Sequence, residues 1–229
     1  IVSLADPANP VESDFAVGPN SAWREIKTWG NHAYVTNETG GGLMVIDLTN
    51  LPNSVSTTFW APTIPGLGTL TTIHSIWMDE FGVAYLNGST LNGGGILFAD
   101  VATTPGSPVY LGRGAQIYSH DSFSRGDLGF SFEIGAGQFS IYDVSDKTNV
   151  LPLASQNTPG FAAHNGWLSD DGKTLFTTDE TGDAPVTSYD ISDLQDIKEL
   201  DQFRPQATIG TGVIPHNVHP WQDWLIVSY

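Results

Sequence analysis

The chain has 229 residues, enough for one large domain, since a chain of this size buries roughly 70% of its unfolded surface on folding. It carries 25 acidic and 8 basic side chains, a formal charge of −17. That excludes a general nucleic-acid binder, because phosphate contacts need Lys and Arg, and it disfavours docking on an anionic membrane surface. Cysteine is absent, which rules out disulfides, thiolate metal sites and a cysteine nucleophile.

In chain order, the first strand-like run is Ile1-Val2-Ser3-Leu4, followed by Leu4-Ala5-Asp6-Pro7, which reads as the tail of a repeat unit. An apolar, aromatic strand then recurs as His32-Ala33-Tyr34-Val35-Thr36, Val83-Ala84-Tyr85-Leu86, Leu128-Gly129-Phe130-Ser131-Phe132, Thr174-Leu175-Phe176-Thr177 and Trp224 to Tyr229. Tyr34, Tyr85, Phe130, Phe176 and Val227 are 51, 45, 46 and 51 residues apart. A second signal, apolar–Asp–apolar, recurs at Asp47, Asp100, Asp143 and Asp190, spaced 53, 43 and 47. Gly-rich turns separate the two signals.

A composite unit of several short strands repeating near every 48 residues predicts an all-β fold, a β-propeller of four-stranded antiparallel blades. A β-sandwich also has short strands and turns, but it does not repeat one composite unit at a fixed period. The units fall at 1–20 (partial), 21–65, 70–115, 117–158, 161–204 and 213–229 (partial). The half units at the two ends either close a five-bladed ring by pairing, or belong to a larger ring near seven blades. The second alternative makes the chain a piece of a longer protein, with open strand edges that invite self-association. No apolar run reaches the ~18 residues of a transmembrane helix. The only helical hint is one turn at Asp193-Leu194-Gln195-Asp196.

Aligning the units brings Arg24, His74, His120, His164 and His216 into one column, each 10 to 12 residues before its aromatic strand residue. The first strand of a blade is the innermost, so the column is expected to circle one mouth of the central channel. Two readings are open. Converging imidazoles can bind a transition metal or, with Arg24, an anion, which makes His74, His120, His164 and His216 the metal candidates. Alternatively each column residue ties its own blade through the third-strand carboxylate, since Asp47, Asp100, Asp143 and Asp190 follow Arg24, His74, His120 and His164 by 23, 26, 23 and 26 residues. His32 and His219 fall outside the column.

The turns after the second strands carry Asn37-Glu38-Thr39, Asn87-Gly88-Ser89 and Asp179-Glu180-Thr181-Gly182-Asp183. Their oxygen clusters are candidates for Ca²⁺. The first two also match the N-glycosylation acceptor pattern. No nucleophile elbow, phosphate loop, dinucleotide fingerprint or His-Glu-x-x-His motif is present.

At these residues the chain resembles the choice-of-anchor B family, extracellular proteins built from LVIVD-type propeller repeats. The resemblance rests on Ser21-Ala22-Trp23-Arg24-Glu25-Ile26-Lys27, Asn31-His32-Ala33-Tyr34-Val35, His74-Ser75-Ile76, Gly93-Gly94-Gly95, His120-Asp121, Ile141-Tyr142-Asp143-Val144-Ser145-Asp146-Lys147, His164-Asn165-Gly166-Trp167-Leu168, Thr178-Asp179-Glu180, His216-Asn217 and Val227-Ser228-Tyr229. It covers almost the whole chain. The weak repeat at Leu4-Ala5-Asp6 and the missing cysteines depart from the family pattern. The resemblance implies secretion, anchoring by a separate sorting segment, further blades on either side, and no catalytic residues. The expected function is therefore a secreted or cell-surface propeller that serves as a binding or assembly scaffold for a protein or glycan partner. The alternative is a metal-dependent propeller oxidoreductase or hydrolase that uses the His column.

Overall fold

A computed structural model describes every residue from Ile1 to Tyr229. Four antiparallel sheets of four strands each follow the chain. Blade 1 is Ile26–Trp29, His32–Val35, Leu43–Asp47 and Ser56–Trp60. Blade 2 is Ser75–Met78, Val83–Asn87, Leu97–Asp100 and Val109–Arg113. Blade 3 is Asp121–Arg125, Leu128–Glu133, Gln138–Asp143 and Leu151–Asn157. Blade 4 is Ala163–Leu168, Thr174–Asp179, Val186–Asp190 and Lys198–Phe203. Within each blade the strands pair in chain order. This is the radial meander of a β-propeller.

The repeat shows in a detail of register. Blades 2, 3 and 4 each carry an irregularity between third and fourth strands one or two residues before the Asp, at Phe98/Ala99, Ile141/Tyr142 and Ser188/Tyr189. Pro152 lies on an outer edge strand, where a missing N–H leaves no ladder bond unmade. Helix is confined to single turns at Asn92–Gly94 and Gln206–Thr208, while the hint at Asp193–Asp196 is one hydrogen-bonded turn.

Packing between blades supplies the core. Tyr34, Leu43 and Val45 of blade 1 cluster with Ile76, Ala84, Leu86, Leu97 and Ala99 of blade 2. Tyr85 and Phe98 meet Tyr142 and Val144 of blade 3. Phe130, Phe132, Phe139 and Ile141 meet Ala163, Leu168, Leu175 and Tyr189 of blade 4. Tyr34, Tyr85 and Phe130 are fully buried, as their mid-strand positions predict. Phe176 is only half-buried. The next element against its face is a two-stranded hairpin, Val218–Trp221 with Trp224–Val227, which covers less than a full blade does.

A second hairpin, Val2–Ser3 with Val11–Glu12, stands at the other end of the chain. No backbone ladder joins the two hairpins. A five-bladed ring closed by pairing of the end half units is therefore not what the structure forms.

The first strands of successive blades lie beside one another and line the channel. Trp77, Phe123 and Trp167, all on first strands, pack together at centroid separations of 5.1 to 6.4 Å, Trp77 edge-on to the other two, and His219 packs on Trp167 at 4.7 Å. The end of the channel where the first strands begin is its mouth.

Candidate functional site

The His column lies at that mouth. His74 and His120 immediately precede the first strands of blades 2 and 3, His164 is the second residue of blade 4, and His216 precedes the hairpin at Val218. Their main chain is held on both sides. The N–H groups of His74, His120 and His216 donate to Asn87 O, Phe132 O and Ser228 O of their own sheets at 2.8 to 2.9 Å. Their carbonyls accept from the hydroxyls of Thr36, Ser75 and Thr178 on the preceding blade. The four rings therefore form one continuous run, with centroid separations of 4.1, 4.4 and 3.9 Å in chain order. Arg24 lines the same cavity of about 210 Å³ together with Trp23, Glu25, Asp121 and Asn217. Its guanidinium donates to Pro19 O, so it sits at the rim, outside the ring run.

The expected carboxylate ties do not form. Hairpin register pairs Asp47 with His32, Asp100 with Val83, Asp143 with Leu128 and Asp190 with Thr174, always at the start of the second strand. The column lies at the opposite end of the blade, a strand length of four to six residues away, on the order of 13–20 Å. The four aspartates instead close turns. Asp47 accepts Thr49 N–H at 2.8 Å, Asp100 Ala102 N–H at 2.8 Å, Asp143 Ser145 N–H at 2.9 Å and Asp190 Ser192 N–H at 2.9 Å. These local bonds hold their carboxyls below the usual value.

The actual ties belong to the residues immediately after the column. Glu25 Oε2 accepts Ile76 N–H of blade 2 at 2.8 Å. Ser75 Oγ donates to His120 O of blade 3 at 2.7 Å. Asp121 Oδ2 accepts Asn165 Nδ2 of blade 4 at 2.7 Å, and Asn165 Oδ1 accepts Val218 N–H of the hairpin at 2.9 Å. Each blade thus reaches to the next from one register position. Burial, with the charge of Glu25 behind it, raises the Asp121 carboxyl to about 7.

Freed from tying, the imidazoles find partners that the column did not name. His74 Nδ1 donates to Glu38 at 2.7 Å, and His216 Nδ1 lies 2.6 Å from Asn217 Oδ1. His120 and His164 make no hydrogen bond of normal geometry, and the Nδ1 of each is buried without a partner. Both Nε2 atoms instead face Glu180 Oε2, at 3.9 and 4.0 Å. Burial pushes both imidazoles down to about 3, and the neighbouring imidazoles add to the shift. Both are therefore neutral, with a ring lone pair free to donate.

Glu38 and Glu180 occupy matching positions in the turns Asn37-Glu38-Thr39 and Asp179-Glu180-Thr181, a recurrence visible in the sequence. Blade 2 has Gly88 there, at φ +57°, where an added Cβ would stand 2.6 Å from His74 Cβ and 2.9 Å from the Tyr118 hydroxyl. In the turns offered to calcium, two of the carboxylates are engaged by the protein itself. Asp179 turns inward to accept from Thr158, Gly160 and Ala162, and Asp183 accepts from Gly210 and Gly212. Asn37 and Asn87 are fully buried and donate to Gly42 O and Ser75 Oγ, so neither is open to glycosylation in the folded chain.

No family model and no curated protein matches the chain. Solved structures do match its fold. A Lactobacillus plantarum protein superposes with a TM-score of 0.69 at 15% identity, over 93% of this chain and 65% of its own. A candidate 6-phosphogluconolactonase from Bacteroides uniformis gives 0.65 at 13% identity, over 88% and 62%. The Cps50 (Swd1) β-propeller domain of Myceliophteria thermophila gives 0.61 at 9% identity, over 86% and 62%. The chain thus spans less than two thirds of each of these proteins.

Proposed function

We propose that this chain is a binding propeller whose recognition site is the His-lined channel mouth, and that its ligand is the end of a glycan chain. The observation that carries this is the composition of the cavity. One strongly exposed indole, Trp23, stands beside Arg24, Glu25, Asp121 and Asn217 and above the four imidazoles. A flat aromatic face takes the apolar side of a sugar ring, and the surrounding donors and acceptors read its hydroxyls. The extracellular, surface-associated setting implied by the choice-of-anchor B resemblance suits such a ligand. One fold hosts many functions, so the site and not the fold carries the reading.

Glycan-array screening of the intact chain, followed by calorimetry on the best binder, tests the reading. Trp23→Ala is expected to abolish binding with the fold intact, because that indole packs against no core. Absence of any glycan binder, or binding indifferent to Trp23, refutes the reading and moves the search to a protein partner. A metal-dependent oxidoreductase or hydrolase is the second reading, favoured by the meeting of His120, His164 and Glu180. Turnover by metal-loaded protein that is lost in Glu180→Gln would establish it.

A further inference from the structure

We propose that Nε2 of His120, Nε2 of His164 and the carboxylate of Glu180 form a binding site for one divalent first-row transition metal, Zn²⁺ being the ion used here to probe it. The proposal deepens the channel-mouth reading and rests on it for the metal's role, not for the metal's existence. The three ligand atoms lie within 4.8 Å of one another. Both nitrogens stand 3.9 to 4.0 Å from the same carboxylate oxygen. That separation is too long for a hydrogen bond, so the group is not an ordinary His–Glu pair. Ligands about 2.0–2.2 Å from a zinc ion sit roughly 3.4 Å from one another in a tetrahedron. Closing the half ångström between the carboxylate and each nitrogen falls to Glu180, whose side chain is a third exposed.

A second, independent feature points the same way. Neither the His120 nor the His164 ring has a side-chain hydrogen-bond partner: each Nδ1 is buried and unpartnered, and each Nε2 faces only Glu180, although the His164 side chain is almost wholly buried. Buried polar side chains nearly always have a partner, and one without needs an explanation. A metal at Nε2 gives each ring one partner, on the nitrogen that faces Glu180, and leaves the buried Nδ1 as it is. Two imidazoles and one carboxylate form a ligand set that suits zinc and its first-row neighbours, not Ca²⁺. Three protein ligands leave a fourth position, and it opens into a cavity that Trp23, His74 and His216 also line. An oxygen of the bound ligand fits there. The flanking His74 and His216 are not ligands, and their Nδ1 atoms are engaged by Glu38 and Asn217.

The test is zinc titration of the intact, chelator-stripped chain by calorimetry, with Co²⁺ substitution read by its visible absorption. The expected result is a single equivalent of Zn²⁺, and cobalt bands of a four-coordinate nitrogen–oxygen site. Glu180→Gln and His164→Ala are each expected to weaken zinc binding by about a hundredfold or more, while His32→Ala leaves it unchanged. Glu180→Gln is isosteric at a side chain a third exposed, so it reports on the site even where His164→Ala fails to fold. Sub-stoichiometric or weak binding, or binding that Glu180→Gln leaves intact, overturns the proposal. Glycan binding is measured in parallel on the stripped chain. Zinc binding without any glycan binder refutes the glycan reading alone, whereas glycan binding without zinc refutes the metal site alone.

Discussion

Asn165→Ala is the sharpest probe of how the blades are held together. Asn165 is buried and makes two bonds between elements, Nδ2 to Asp121 of blade 3 and Oδ1 from Val218 N–H of the terminal hairpin. The alanine removes a hydrogen bond to a carboxylate, about 1.5–3 kcal/mol, and leaves a buried N–H unmet, about 1–3 kcal/mol more. Water at the mouth recovers part of this, so a net loss of about 3 kcal/mol is expected. For a chain of this size that lowers the melting midpoint by roughly 6–12 °C. The comparison is Asp190→Ala, which opens one exposed turn and is expected to move the midpoint far less. Melting followed by far-ultraviolet circular dichroism, with urea titration as a second measure, reads both. If Asn165→Ala melts with the parent, or Asp190→Ala costs as much, the inter-blade tie is wrongly placed.

Three further outcomes follow from the geometry. Phe130→Ala should cost about 3–5 kcal/mol by urea titration, because its ring is fully enclosed between blades, whereas Phe176→Ala should cost clearly less. Gly88→Ala should lower the melting midpoint and weaken zinc binding together, since its backbone lies at φ +57° and a Cβ would press on His74 and Tyr118. The carboxyls of Asp47, Asp100, Asp143 and Asp190 are held below 3.8 by their turn bonds. A depressed folded value contributes stability above the unfolded value, and that stability is lost as pH falls through the folded one. Replacing all four by Asn keeps the turn acceptor and should flatten the acid limb of a midpoint-against-pH curve below about pH 4.

The blade repeat and the His column were both legible because they are periodic. A repeating unit must place like residues alike, so the recurrence of Tyr34, Tyr85 and Phe130, and of the four histidines, carried fold and register. The role of the aspartates was not legible. Offsets of 23 and 26 residues put Asp47 and Asp100 on the third strand but do not say at which end. Antiparallel pairing sets them opposite His32 and Val83, a strand length from the column. The true ties stayed hidden because position 25, 75, 121, 165 is filled by Glu, Ser, Asp and Asn, a recurrence of place without one of chemistry. Glu38 and Glu180 did recur in chemistry and place, but a string of residues does not show that both side chains turn back over the mouth. Phe176 was misjudged because its burial depends on what covers blade 4.

The strongest physical sign that the imidazoles serve something other than folding is what they cost. Ser75, Asp121 and Asn165 already join the blades, so the fold needs nothing from the rings beside them. Burying His120 and His164 without hydrogen bonds costs about 1–3 kcal/mol for each unmet group. A side chain that opposes stability at the mouth of a channel is the usual mark of a site shaped for a ligand. His164→Leu separates the two cases cleanly. It has a similar volume, removes the unmet Nδ1 and leaves the main-chain bonds of the strand in place. If the ring is there to bind, the leucine chain should melt at the parent's midpoint or above it, while its zinc affinity collapses. If the ring is structural, the same change should destabilise by several kcal/mol, as breaking a buried polar network does. A lower midpoint for His164→Leu, measured beside Asn165→Ala under the same conditions, would return the column to the architecture of the fold and withdraw it from the site.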